Sequence, residues 1–115
     1  MVNVVCSSRY KINRPEIKSI SSQFLKQLGV LSYYVLNLIF VGRTKMKTIT
    51  ARYNKDSPAL PVLSFAYDRE KDNLLGEIFI CYPQAVLLAA ERNKKVETII
   101  EQLIEHGIEN LIKSS

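Results

Sequence analysis

The sequence of 115 residues lacks several features that identify common protein classes. Its two cysteines, Cys6 and Cys81, lie far apart and form no C-x-x-C motif, which argues against a zinc ribbon or a disulfide-stabilised fold. Cysteines used this sparingly are typical of reduced thiols in the cytoplasm. No run of eighteen apolar residues is present, and the first residues lack the basic and apolar regions of a signal peptide. We therefore expect a cytoplasmic protein that does not enter a membrane.

Two catalytic frameworks are also missing. The four glycines are isolated from one another, so no glycine-rich loop can surround a phosphate group. His106 is the only histidine and no G-x-S-x-G motif occurs, so a serine nucleophile with a histidine base is not indicated. What remains is a chain that is 47% hydrophobic and 23% charged. That composition predicts one globular domain spanning residues 1–115.

Positive charge is concentrated in the first half of the sequence. Residues 1–57 contain ten Lys or Arg and two acids, a net charge of +8, whereas residues 58–115 contain six Lys or Arg and nine acids, a net charge of −3. This asymmetry is typical of a surface that binds a polyanion, although a solvated basic surface would give the same composition. The densest basic cluster, with no acid among its members, comprises Arg43, Lys45, Lys47, Arg52 and Lys55.

Periodicity and turn residues predict the element order β-α-β-α-β-β-α-α. The predicted strands are Val2–Cys6, Tyr33–Val41, Val62–Tyr67 and Leu74–Cys81. The predicted helices start at Asn13 and stop at Gly29, run from Arg43 to about Tyr53, open at Pro83, and run from Val96 to Ile112. Helices and strands mix without strict alternation, so we expect an α+β fold with helices packed on a mixed sheet of about four strands. The second strand is almost continuously apolar, which predicts burial on both faces.

The last predicted helix carries a candidate site. His106 and Asn110 are four residues apart and therefore lie on the same side of the helix, at the edge of its apolar stripe. Two histidines at this spacing would supply half of a zinc site, but the amide oxygen of Asn110 is a weak zinc ligand. A single histidine at a helix edge is more often a partly buried side chain with a backbone or carboxylate partner. The residues alone leave both interpretations open.

Several segments follow one another in the order and spacing of a known family. They are Arg52–Asp56 with Pro61–Phe65, Gly76–Cys81, the proline-started helix Pro83–Arg92, and His106–Ser115. The family's versions contain a tyrosine-arginine pair before D-V-L-S-F, then G-D-I-x-I-S, an alanine-rich helix, and H-G-x-x-H-L-x-G-Y-D-H. The sequence therefore resembles the YbeY family of bacterial single-strand endoribonucleases and rRNA maturation factors.

The resemblance implies a zincin-like helix at the C-terminus, in which three histidines hold a zinc ion that acts as a Lewis acid or activates water. His106 occupies the first ligand position and Asn110 the second, while the third would fall one position beyond Ser115. The family's aspartate in G-D-I becomes Glu77, a candidate catalytic residue, and the family's arginine falls on Asn54. We therefore expect zinc binding to be weak or absent.

Two functional interpretations follow from the resemblance. The first is a metal-dependent single-strand endoribonuclease of rRNA maturation, with impaired or absent catalysis in this copy. The second is a non-catalytic module on the same fold that binds RNA or the small ribosomal subunit. In both, the basic cluster Arg43, Lys45, Lys47, Arg52 and Lys55 is expected to contact the phosphates of single-stranded RNA. A third interpretation is that the chain is truncated after Ser115. The missing residues would then supply the last histidine, but Asn110 would be unchanged.

Overall fold

The computed structural model describes residues 1–52, 60–67 and 73–113. Its strands are β1 (Val2–Val5), β2 (Val35–Val41), β3 (Val62–Ala66) and β4 (Leu74–Cys81). The helices within these residues are α1 (Arg14–Gln27), α2 (Arg43–Ala51), α3 (Tyr82–Arg92) and α4 (Val96–Lys113). The predicted α+β class and element order are confirmed, with small differences at the element ends. Tyr53, Lys55 and most of the predicted loops at 56–61 and 68–73 lie outside the described residues.

The four strands form one sheet in the order β1-β2-β4-β3. β1, β2 and β4 are parallel, whereas β3 pairs with β4 in the antiparallel sense and forms one edge. The predicted mixed, four-stranded sheet is therefore confirmed. Because β2 and β4 are parallel, both end at the same edge of the sheet, where β3 begins and where α2 and α3 start. This arrangement brings the beginnings of α2, α3 and β3 to one end of the molecule.

The signals that predicted α1 are visible at both of its ends. The side-chain oxygen of Asn13 accepts a hydrogen bond from the backbone N–H of Glu16 at 3.1 Å, which satisfies one of the free donors of the first turn. At the other end Gly29 adopts a φ of 81°. The N–H of Val30 then reaches back to the carbonyl of Leu25 at 3.0 Å, as in a glycine-terminated helix.

The main core lies on one face of the sheet, where α1, α3 and α4 pack. The strand residues that face these helices are fully buried, as Leu36, Leu38, Ile78 and Ile80 each have 0% exposure. A smaller cluster on the opposite face consists of Val41, Met46 and Cys81, with Ile39, Leu63 and Phe79 packed against it.

The predicted burial of β2 on both faces is wrong. Leu36 and Leu38 are buried, but Asn37 and Ile39, which point to the opposite face, are only half-buried. The reason is that α2, with nine residues, is only about 13 Å long and covers one end of that face. The second face of the sheet is therefore partly accessible to solvent.

The last helix packs closely on β3 and β4. Ile100, Ile104, Ile108 and Leu111 are buried, and Leu103 is partly buried. A Cβ atom on Gly107 would lie 2.9 Å from Cγ2 of Ile78, so this glycine allows the helix backbone to approach the sheet. Among the helices that the structure describes, none is both long and apolar enough to cross a bilayer.

Candidate functional site

The position of His106 is fixed by the residue that follows it. Gly107 faces the sheet, where it contacts Ile78, and its carbonyl oxygen accepts a hydrogen bond from the Ser64 hydroxyl at 2.9 Å. Ser64 lies on β3, the edge strand, so this bond ties the middle of α4 to the edge of the sheet. A backbone carbonyl inside a helix is normally occupied by the helix itself, and here it accepts an additional donor. The result is a defined orientation for α4, with His106 beside the edge strand.

His106 and Asn110 line an open groove of about 720 Å³. Both side chains are exposed, further into solvent than their position at the edge of the apolar stripe suggested. The groove runs between the start of β3, the end of α3 and the middle of α4. Its lining residues are Leu60, Pro61, Val62, Leu63, Ser64, Leu88, Arg92, Gln102, Leu103, His106 and Asn110. The structure thus brings together the two residues that the motif identified.

The groove also contains polar residues that the sequence did not single out. Arg92 is the last residue of α3, and Gln102 lies one turn before His106 on α4. After Arg92 the chain turns toward α4 at Asn93, which takes the left-handed conformation with a φ of 53°. No local sequence pattern links Arg92 to His106, since their proximity depends on how two helices meet. None of the described residues that line the groove is acidic.

The donor atoms at this site do not fit a zinc ion. Zinc sites take three or four protein ligands, chiefly cysteine, histidine and carboxylate side chains. Within residues 1–52, 60–67 and 73–113, no three such side chains come together. The motif positions offer the imidazole of His106 and the amide of Asn110. Two side chains, one of them a weak ligand, are fewer than a stable site requires.

The two cysteines do not extend this donor set. Burial raises the pKa of the Cys81 thiol, while the nearby Arg43 lowers it to a smaller extent. Burial also raises the pKa of the Cys6 thiol, against a smaller effect of Arg14. Neither thiol is among the residues that line the groove of His106.

Glu77 lies on the opposite face of the sheet from His106. Side chains alternate along a strand, and the neighbouring Ile78 points toward Gly107. The Glu77 carboxylate accepts a hydrogen bond from the Tyr67 hydroxyl at 2.6 Å. The structure therefore does not bring the candidate catalytic carboxylate together with the candidate metal ligand.

The basic residues of α2 lie on the same side of the sheet as Glu77. Met46, Ile49 and Thr50 are buried, and Met46 packs in the small cluster on this face. The members of the basic cluster that the structure describes are all exposed. They are Arg43, Lys45, Lys47 and Arg52. Lys55 lies outside the described residues. The structure separates the predicted basic surface from the groove that contains His106.

Comparison with known proteins identifies relatives that share one description. A family model described as Endoribonuclease YbeY matches residues 5–112. The Endoribonuclease YbeY of Polynucleobacter asymbioticus is 36% identical over 73 residues, which cover 64% of this chain and 47% of that protein. The protein of the same name from Finegoldia magna is 31% identical over 98 residues, covering 83% of this chain and 63% of its own length. The chain thus spans about half to two thirds of these relatives.

The fold also has a match among solved structures. The solution structure of TM1509 from Thermotoga maritima superposes with a TM-score of 0.68. It covers 94% of this chain and 69% of that protein, at 20% sequence identity. At this identity the superposition shows a shared fold.

Proposed function

Because this chain belongs to the YbeY endoribonuclease family, we propose that it binds single-stranded RNA in rRNA maturation. The partner would be the small ribosomal subunit, and the compartment the cytoplasm. The observation that carries the proposal is the exposed basic surface of α2, a helix that contains no acidic residue. That surface supplies what binding to an RNA backbone needs, namely several cations at fixed positions.

The arrangement of the cations on α2 supports contact with a backbone. Arg43 and Lys47 lie four residues apart on one side of the buried stripe, and Lys45 and Arg52 lie seven apart on the other. Cations at the start of a helix are opposed by the helix dipole. The first turn of α2 has no acidic residue and no side-chain cap that would compensate. A phosphate group near this turn would relieve that repulsion.

For catalysis, we propose that this copy has impaired or absent metal-dependent cleavage. The support is the donor set at the groove, which lacks a second histidine at Asn110. The alternative function, a non-catalytic RNA- or ribosome-binding module, is favoured by the same observation.

The RNA-binding proposal is tested by the salt dependence of affinity. The affinity of the unmodified protein for a fluorescent single-stranded RNA should fall steeply with salt, because phosphate contacts release counterions. Replacing Lys45, Lys47 and Arg52 together by Ala should reduce the slope of log K against log salt concentration by about 2, at about 0.7 per lost phosphate contact. Fluorescence anisotropy at four or five salt concentrations gives both slopes.

A matched control removes the same charge elsewhere. Lys18, Lys94 and Lys95 are exposed and lie on α1 and on the turn between α3 and α4. Their joint replacement by Ala lowers the net charge by the same amount but should leave the slope nearly unchanged. Equal slopes for the two triple variants would show that only net charge matters and that α2 is not the contact surface.

A further inference from the structure

The two faces of the sheet differ in a way that the RNA-binding proposal does not use. The face under α1, α3 and α4 is closed, with Leu38 and Ile78 at 0% exposure. On the other face α2 packs over the ends of β2 and β4, near Val41 and Cys81. Farther from α2, the side chains on this second face are half-buried or exposed. An accessible sheet surface therefore adjoins a basic helix.

The accessible surface contains one row of polar and aromatic residues across all four strands. Asn3 pairs with Asn37, Asn37 pairs with Glu77, and Glu77 pairs with Phe65. Because paired residues on neighbouring strands point to the same face, the four side chains form a continuous row. We call this row, together with Tyr67 and Phe79, the sheet platform.

Contacts within the sheet platform hold its side chains in place. The Asn3 amide donates to the Asn37 side-chain oxygen at 3.0 Å, and the Tyr67 hydroxyl donates to Glu77 at 2.6 Å. The rings of Phe65 and Phe79 meet edge to face, with centroids 5.5 Å apart and planes at 88°. Tyr67 is 43% exposed. The platform thus contains ordered amide, carboxylate and aromatic groups, of which Asn3 and Tyr67 are exposed and the others are half-buried.

We infer that the sheet platform binds nucleobases of single-stranded RNA while the cations of α2 hold the phosphates. This inference rests on the proposed function and assigns the position of the bases. Aromatic rings on an open sheet stack on bases of any sequence, and amide and carboxylate groups match the donors and acceptors of base edges. Among the residues that the structure describes on this surface, one carboxylate stands beside four exposed cations of the α2 region, a net positive charge that suits a polyanion.

The sheet platform and α2 adjoin each other on this face of the sheet. The row of the platform lies four residues along β2 and β4 from Val41 and Cys81, where α2 packs. At about 3.3 Å per residue this separation is about 13 Å. This surface lies on the opposite face from the groove that contains His106.

A single tryptophan tests where the bases lie, because the natural sequence contains none. Phe65→Trp places the reporter in the sheet platform, and Leu88→Trp places it in the groove of His106. Leu31→Trp, at a position with 57% exposure before β2, serves as a remote control. Titration with a single-stranded RNA octamer should quench the Phe65→Trp emission with the same midpoint as the anisotropy titration. The other two reporters should not respond.

An abasic octamer with the same number of phosphates separates stacking from charge. It should bind in the anisotropy assay but leave the Phe65→Trp emission unchanged, because it has no base to stack on the ring. Quenching by the abasic octamer would overturn the inference. So would quenching of Leu88→Trp without quenching of Phe65→Trp, which would place the bases in the groove.

Affinity measurements supply a second test. Phe65→Leu keeps an apolar side chain but removes the ring, so affinity should fall about five-fold or more, while the salt slope stays unchanged. An unchanged affinity would overturn the inference, and the α2 variants would still report separately on the proposed function. If the unmodified protein shows no binding to RNA by anisotropy, the proposed function fails and the inference fails with it.

Discussion

At the scale of single residues, the glycine after His106 has the clearest structural role. Gly107 lets α4 approach the sheet, and its carbonyl receives the Ser64 hydroxyl. The sequence showed Gly107 as part of a motif, but the reason for a glycine at that position is visible only in the contact with Ile78. The residue before it owes its position at the groove to this close packing.

Gly107→Ala should destabilise the protein by roughly 1–3 kcal/mol, the usual cost of overpacking. Alanine is otherwise the better helix former by about 1 kcal/mol, so a stabilised variant would contradict the close contact. Urea denaturation measures the change. In an Ile78→Ala background the same substitution should cost less, because the side chain that the new Cβ meets has been removed.

The identity of residue 110 determines how many strong zinc ligands the motif positions offer. The unmodified protein should bind well under one zinc ion per chain, since only His106 offers a strong ligand at the motif positions. Asn110→His should raise zinc affinity, because it places two imidazoles one helical turn apart. Isothermal titration calorimetry with zinc compares the two proteins. Stoichiometric zinc in the unmodified protein would show that other side chains complete the site.

At the scale of elements, the predicted bounds of α4 agree with the structure to within one residue, and the energetic contribution of this helix can be measured. Ile104 has 0% exposure, whereas Leu103 borders the groove and is partly buried. Ile104→Ala should therefore cost roughly 2–5 kcal/mol, and Leu103→Ala should cost less. Equal losses, or a loss below about half a kcal/mol at Ile104, would contradict the packing of α4 on the sheet.

The elements also show which sequence signals were sufficient to predict the ends of helices and the burial of strands. The Asn13 cap and the Gly29 stop are local signals, and the structure confirms them. The apolar run in β2 was misleading because its composition does not reveal which side chains a short helix covers. Ile39 is apolar but half-buried, since α2 reaches only the end of the sheet.

At the scale of the whole molecule, the fold was predictable and the grouping of functional residues was not. The element order and the family resemblance predicted an α+β sheet with His106 on a packed helix, and both are confirmed. That Arg92 joins His106 in one groove, while Glu77 lies on the other face, depends on strand order and register. Such contacts between distant residues produce no periodic pattern in the sequence.

The family also accounts for the combination of preserved core and altered motif. Gly107 and Ile108 are buried against the sheet, whereas Asn110 departs from the three-histidine pattern of the family. We therefore expect RNA binding to persist when cleavage does not. His106→Ala should hardly change RNA affinity, because the proposed contacts are with α2.

Cleavage of single-stranded RNA, measured with and without added zinc, is the most direct test of RNA binding without metal-dependent catalysis. The same labelled RNA is used for binding by anisotropy and for cleavage on a denaturing gel, with the His106→Ala variant as the control. We predict that the RNA is bound, and that any cleavage is weak, is not increased by zinc and is unaffected by His106→Ala. Zinc-stimulated cleavage that disappears in His106→Ala would contradict this prediction and would show that the groove is a working metal centre.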